Sequence, residues 1–203
     1  MTTPQLDEPI DGRTARAVRT RDGIVDACLE LIDEGDIRPT GPRIAERAGV
    51  SVRSVFQHFD DLETLFSAVG DRVARRIASI VEPIDASDPL AVRVEAFARQ
   101  RSRVLEVLTP VLRAAMVYAA SSEVITRQFQ DGHTFLREQV RQVFAPELAV
   151  GDHARELGDT LIAASSWPSW NLWRSSEGRT IEQSREAMAW MIGAALAATG
   201  ARP

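Results

Sequence analysis

Apolar residues recur along this chain at three- and four-residue spacing and almost never in alternation, which predicts helices and no sheet. A first helix fits Arg16 to Glu34, where Ile24, Ala27, Cys28, Leu31 and Ile32 share one face and Gly35 follows as a stop. Thr40 caps a short second helix, Gly41 to Ala48, with Pro42 in its first turn and Gly49 at its end. Ser51 caps a third, Val52 to His58. The fourth opens at Asp60 or Asp61, whose carboxylates suit the positive end of the helix dipole, and runs to Val81 ahead of Pro83. Ser87-Asp88-Pro89 opens a fifth that reaches Leu108; Thr109-Pro110 breaks it and starts a short sixth to Ala119. A seventh runs from Ser121 or Ser122 to Phe144, an eighth from Asp152 to Arg174 and a ninth from Thr180 to Thr199. The fold class is all-α with nine helices, preceded by residues 1–12, whose prolines and few apolar side chains predict a disordered tail.

The second and third helices have the pattern of a helix-turn-helix spanning Thr40 to Phe59. Two short helices that cross at a tight turn need a small residue at the crossing and a glycine where the backbone turns. Ala45 and Gly49 stand at those offsets, and Ile44, Ala48, Val50, Val55 and Phe59 form the set to be buried. That leaves Val52, Arg53, Ser54, Gln57 and His58 outward on the third helix. Arginine can take guanine and glutamine adenine through paired hydrogen bonds, and a valine can touch a thymine methyl. Ser54 and His58 are placed for phosphate, as are Thr40 and Arg43 at the start of the second helix, and Ser51 joins them among the DNA-binding candidates. The same residues also fit an amphipathic hairpin with an arginine-rich solvent face, serving as a protein-interaction module.

Charge separates the two readings in part. Of 203 residues, 24 are basic and 29 acidic, a net charge of -5 that argues against nucleic acid if taken as a sum. Residues 13–21 nevertheless carry Arg13, Arg16, Arg19 and Arg21 without an acid, and residues 37–59 carry four arginines against Glu46 alone. Positive charge is concentrated where the motif needs it, and Arg16 and Arg19 belong to an arm ahead of the first helix that can follow phosphates or enter the minor groove. Every basic residue is arginine, a bias that runs through the whole chain and so says nothing specific about the motif.

The runs Ile44-Ala45-Glu46-Arg47-Ala48-Gly49-Val50-Ser51, Val55-Phe56-Gln57-His58-Phe59 and Leu62-Glu63-Thr64-Leu65-Phe66 resemble the N-terminal domain of the tetracycline-repressor (TetR) family, over residues 20–70. The resemblance implies a helix-turn-helix domain at 13–62 and a ligand-binding and dimerisation domain at 63–203. It further implies a homodimer formed through the last two helices, and a repressor released from a palindromic operator by a small molecule. Two positions depart from the family pattern. Phe56 stands where members have a tyrosine whose hydroxyl reaches a phosphate, and Leu62 where many have a lysine.

Beyond the motif the chain offers a binding region and no catalytic constellation. Trp167, Trp170 and Trp173 recur every third residue on the eighth helix, with Pro168 to kink it, and fit either a pocket wall or core and dimer packing. Met116, Tyr118, Phe129, His133 and Trp170 are the candidate ligand-binding residues for an apolar or aromatic effector. On the ninth helix Ala187, Ala194, Ala197 and Ala198 make a small-residue side that lets a second helix approach. His58, His133 and His153 lack metal-ligand spacing, and neither a phosphate loop nor a nucleophile elbow occurs, so no cofactor and no enzymatic activity are expected. A carrier or enzyme built on the C-terminal pocket would need turnover or ligand binding indifferent to DNA. The lone Cys28, the polar N-terminus and the lack of a long apolar run predict a cytoplasmic protein without a membrane span.

Overall fold

A computed structural model describes residues 12–119, 122–149 and 153–199. Among these residues ten α-helices follow one another without a strand: α1 Gly12–Asp33, α2 Gly41–Ala48, α3 Val52–His58, α4 Leu62–Ala78, α5 Leu90–Ala119, α6 Glu123–Val143, α7 Ala145–Leu148, α8 Ala154–Ala164, α9 Trp167–Asn171 and α10 Ile181–Ala198. A π-helical turn, Leu172–Ser176, continues α9. The caps explain several bounds. Asp61 accepts a hydrogen bond from the Thr64 N–H at 2.7 Å, Ser122 from Ile125 at 3.1 Å, and Thr180 and Gln183 form a reciprocal capping box. The expected tail lies outside the described residues except for Gly12, which already belongs to α1.

Two prolines act in the opposite way to expectation. Thr109-Pro110 does not break α5, which runs through it for 30 residues. Pro110 cannot donate to the helix ladder, but Val104 and Leu105 before it and Ala114 after it are buried, and the Thr109 hydroxyl donates to the Leu105 carbonyl at 2.6 Å. Packing on both sides outweighs one missing bond. The expected eighth helix, by contrast, is cut into α8 and α9. Ser165 and Ser166 turn their hydroxyls back onto the carbonyls of Leu161 and Ala163, at 2.6 and 2.8 Å, closing α8 before Pro168 opens the next helix. The fourth helix also stops earlier than expected, at Ala78, where the Ser79 hydroxyl donates to the Arg76 carbonyl.

The apolar faces close into three clusters. The N-terminal one joins Ile24, Cys28 and Leu31 of α1, Ile44 and Ala45 of α2, Val55 of α3, Phe59, and Leu65 and Val69 of α4. The largest joins α5, α6, α8, α9 and α10 around Phe97, Leu105, Val140, Phe144, Leu161, Trp170, Met188 and Ile192. Val73 and Ile77 of α4 meet Val104 of α5 in a small third cluster between them. Helix α4 thus enters the first core with its opening turns and leaves it with its last ones. Two side-chain clamps tie it to α6: Ser122 donates to Glu63 at 2.6 Å and Gln128 to the Ser67 carbonyl at 3.0 Å.

Gly49 ends α2 at φ 65°, in the left-handed region, and lets Val50 N–H reach the Ala45 carbonyl at 3.0 Å. A side chain there meets no neighbour, so the penalty lies in the backbone alone. Gly49→Ala is expected to lower stability by about 1–2 kcal/mol, read as a shifted urea midpoint with an unchanged slope; an unchanged midpoint would contradict the role given to this turn.

Candidate nucleic-acid interface

Helix α3 is built to present one side. The Ser51 hydroxyl accepts the Ser54 N–H at 3.1 Å and starts the helix. Val55 and Phe59 anchor it, and Ala45 lies buried where α2 crosses. Val52, Arg53, Phe56 and Gln57 are consequently exposed, while Ser54 and His58 are half-buried toward α1. Arg53 and Gln57, one turn apart, have no ion pair or side-chain hydrogen bond among the described residues, so both heads are free to meet an external partner.

The basic flank is helical and not an arm. Arg13, Arg16, Arg19 and Arg21 all lie within α1, which corrects the expectation that they precede the first helix. A groove of ≈ 510 Å³ runs between the start of α1 and α3, lined by Arg13, Arg16, Thr20, Ser51, Ser54 and His58. A second, of ≈ 450 Å³, continues past Arg16 and Arg19 toward Ala48 and Val50. Arg16 and Arg19 are exposed and have no acidic partner among the described residues. Arg21 instead stacks over the Phe59 ring, 4.7 Å from its centroid, and belongs to the packing of the motif.

Folding neutralises part of the charge counted along the chain. Arg43 pairs with Asp36, and Arg47 holds Glu34 through two hydrogen bonds, 2.8 and 2.6 Å, with Glu30 at 3.4 Å. Those hydrogen bonds keep the Glu34 carboxyl below its ordinary range. Thr40 caps α2 by position only, its side chain making no capping hydrogen bond. The two departures from the family pattern both serve packing. A methyl group at Gly41 would come within 3.1 Å of the Phe56 ring, so Phe56 lies over the start of α2, and half-buried Leu62 packs on the N-terminal core. Neither side chain can donate to a phosphate.

The five candidate ligand-binding residues do not share one surrounding. Tyr118 packs against Phe66 at 4.8 Å between ring centres, on the N-terminal core. Met116 and His133 are exposed and Phe129 is half-buried. Trp170 is fully enclosed in the large cluster, its indole N–H donating to Glu106 at 3.0 Å. Of the other tryptophans, Trp173 is buried, Trp167 donates to Thr109 at 3.3 Å, and Trp190 is 74% exposed on α10. Sequence reasoning misses the charged residues inside the C-terminal helices: Arg93 and Arg101 are buried on α5. Both interrupt the apolar stripe of that helix, a signal open to view in the sequence.

No group of three or more His, Cys, Asp or Glu side chains that could hold a metal occurs among the described residues. Burial, helped by Asp36, pushes the Cys28 thiol up to about 12, so it stays protonated and unreactive at neutral pH. No helix is long and apolar enough to cross a membrane, among the described residues.

Residues 24–69, which contain α2, α3 and most of the N-terminal core, match the model of the bacterial regulatory proteins of the tetR family. No curated protein matches the sequence. Among solved structures, a transcriptional regulator from Rhodococcus sp. Rha1 is similar at a TM-score of 0.71 and 19% identity, over 90% of this chain and 99% of that one. A tetR-family transcriptional regulator from Streptomyces coelicolor reaches 0.71 at 16% identity, over 91% of this chain and 83% of that one. The multidrug binding protein EbrR, solved with imidazole, reaches 0.60 at 18% identity, over 85% and 94%. These likenesses extend the match from the N-terminal helices to the fold of nearly the whole chain. Residues 24–69 thus match the N-terminal domain of the tetR family of bacterial regulatory proteins, and nearly the whole chain has the fold of solved transcriptional regulators.

Proposed function

We propose that this regulator is a cytoplasmic homodimeric repressor that sets α3 of each protomer in successive major grooves of a palindromic operator and is released by a small-molecule effector. The observation that carries this reading is the exposed α3 face of Val52, Arg53 and Gln57, flanked by Arg16 and Arg19, which have no acidic partner among the described residues. In it, Arg53 and Gln57 read bases, Val52 touches a thymine methyl, and Arg16, Arg19, Thr40, Ser51, Ser54 and His58 hold phosphates. Arg43 joins them by exchanging Asp36 for a phosphate, a small change because exposed ion pairs contribute only about 0–1 kcal/mol. The DNA-binding unit spans 13–62 and the effector and dimer unit 63–203, coupled through the clamps of Ser122 and Gln128 on α4.

The test is equilibrium binding to duplexes from the protein's own upstream region and to scrambled duplexes, over a salt series. Arg16→Ala with Arg19→Ala is expected to weaken both kinds of duplex by the same factor. The slope of log K against log salt should become shallower by about 0.9 for each phosphate that the variant no longer neutralises. Weakening confined to the upstream sequence would make these two arginines base readers and overturn the assignment.

The dimer rests on α8 and α10. One side of α10 is consumed by the core through Met188, Ile192 and Leu196, while Trp190, Met191, Ala194 and Ala198 lie outside that buried set, Trp190 and Met191 exposed. A buried interface tryptophan contributes about 2 kcal/mol or more. Trp190→Glu is therefore expected to raise the dimer dissociation constant about 30-fold or more in sedimentation equilibrium, and an unchanged constant would move the interface elsewhere.

A further inference from the structure

The two arginines buried on α5 are treated very differently by the fold. Arg93 donates to both Glu147 oxygens, at 2.8 and 2.6 Å, and to the carbonyls of Val143 and Asp88, so its charge and nearly all its N–H groups are matched. Arg101 is 6% exposed and has one partner, the Ser165 carbonyl, which its Nε–H reaches at 2.8 Å. No carboxylate lies within ion-pair distance of it among the described residues. Burial accordingly pushes its guanidinium down to about 10, with no acid opposing the shift.

Ser165 closes α8, so the one bond sets the cation at the negative end of that helix. A helix end is equivalent to about half an elementary charge, which leaves the rest of the positive charge and the four Nη–H groups unanswered. The only fully enclosed side-chain nitrogen or oxygen without a partner among the described residues is Nε of Arg72. The Nη nitrogens of Arg101, which have no protein partner either, are therefore not fully enclosed and keep a small accessible surface. Around them the chain is apolar. Phe97 and Ala98 lie one turn before Arg101 on α5 and Leu105 one turn after, in the same cluster as Leu161 and Ala164 of α8 and Trp170 of α9.

We propose that Arg101 is the anion anchor of the effector site, taking the carboxylate of an amphipathic organic acid whose apolar body lies against the α5 and α8 side chains that flank it. This inference rests on the effector-released reading above and narrows its effector from an apolar molecule to an apolar acid. A forked guanidinium matches a carboxylate with two parallel hydrogen bonds, and the dry surroundings favour one that brings its own apolar surface.

The test uses the full chain as wild type, Arg101→Met and Arg101→Lys, titrated calorimetrically with decanoate and benzoate and with decanamide and benzamide as neutral counterparts. An acid should bind the wild type about 30-fold or more tightly than its amide, release operator DNA, and lose about that factor in Arg101→Met while Arg101→Lys keeps part of it. The urea midpoint of Arg101→Met should not fall, because an apolar side chain replaces a largely unanswered buried charge. Equal binding of acid and amide, or undiminished acid binding by Arg101→Met, overturns the anchor. Amide binding without acid binding leaves the effector reading standing and removes the anchor alone. If none of the four binds the wild type and none releases operator DNA, anchor and effector reading both fall. Should Arg101→Met fail to fold, the acid-to-amide ratio in the wild type and in Arg101→Lys decides.

Discussion

Arg53→Ala is expected to abolish most operator discrimination while leaving the fold intact. A bidentate arginine–guanine contact contributes about 1–3 kcal/mol of discrimination. In a two-fold complex the substitution acts twice, so operator affinity should fall by about 2–6 kcal/mol and binding to scrambled duplex by far less. The structural basis is that Arg53 has nothing to give up: it is exposed and has no intramolecular partner among the described residues, whereas Arg43 and Arg47 are held by Asp36, Glu34 and Glu30. Nor does α3 depend on it, since Ser51, Val55 and Phe59 fix the helix. Fluorescence anisotropy on operator and scrambled duplexes checks the expectation. An equal loss of affinity on both would make Arg53 a phosphate ligand and shift base reading onto Gln57.

Glu147→Gln is expected to be the most damaging single change to stability outside the apolar core, at about 3–5 kcal/mol, because it leaves the buried Arg93 cation without its counter-ion. The side chains are 5% and 10% exposed and meet at 2.6 Å, joining α5 to α7. Hydrogen bonding from Arg93 holds the Glu147 carboxyl below its ordinary range. A carboxyl lowered in this way adds stability at every pH above its unfolded value of about 4.3, and that contribution is lost as pH falls through the lower folded value. Wild type should therefore shed this component below about pH 4, whereas Glu147→Gln lacks it throughout. Urea midpoints at pH 7 and in acid test both statements, and a stability within about 0.5 kcal/mol of wild type at pH 7 would contradict the account.

What is legible in the sequence follows the range over which its signals act. Helices α2 and α3 are set by residues inside or beside them, Pro42, Gly49 and Ser51, and their bounds can be read directly. Exposure of Val52, Arg53 and Gln57 follows from the same local pattern, but Ser54 and His58 are half-buried by α1 and Phe56 is exposed, which depends on how the helices pack. Pro168 follows Ser165 and Ser166, whose hydroxyls close α8 from within, whereas Pro110 is tolerated because residues far away in sequence pack on both sides of it. Charge along the chain misleads for the same reason: Glu30, Glu34 and Asp36 lie outside the two basic stretches, yet fold back onto Arg43 and Arg47. Hydrophobic spacing places the start of α1 too late because its first turns carry arginines and no buried residue. Aromatic and apolar character, which marks the candidate ligand residues, serves core and pocket alike. The interrupting charges of Arg93 and Arg101 on an apolar stripe are the sharper clue.

In the proposed complex the exposed face of α3 and the arginines of α1 grip duplex DNA. The most direct measurement is footprinting of the wild-type protein on its own upstream region at low salt and again at about 200 mM. Two protected half-sites are expected one helical turn apart, or a multiple of it, occupied about 1,000-fold more tightly than random duplex and steeply weakened by salt. Binding at low salt to neither that region nor random duplex would contradict the proposed complex.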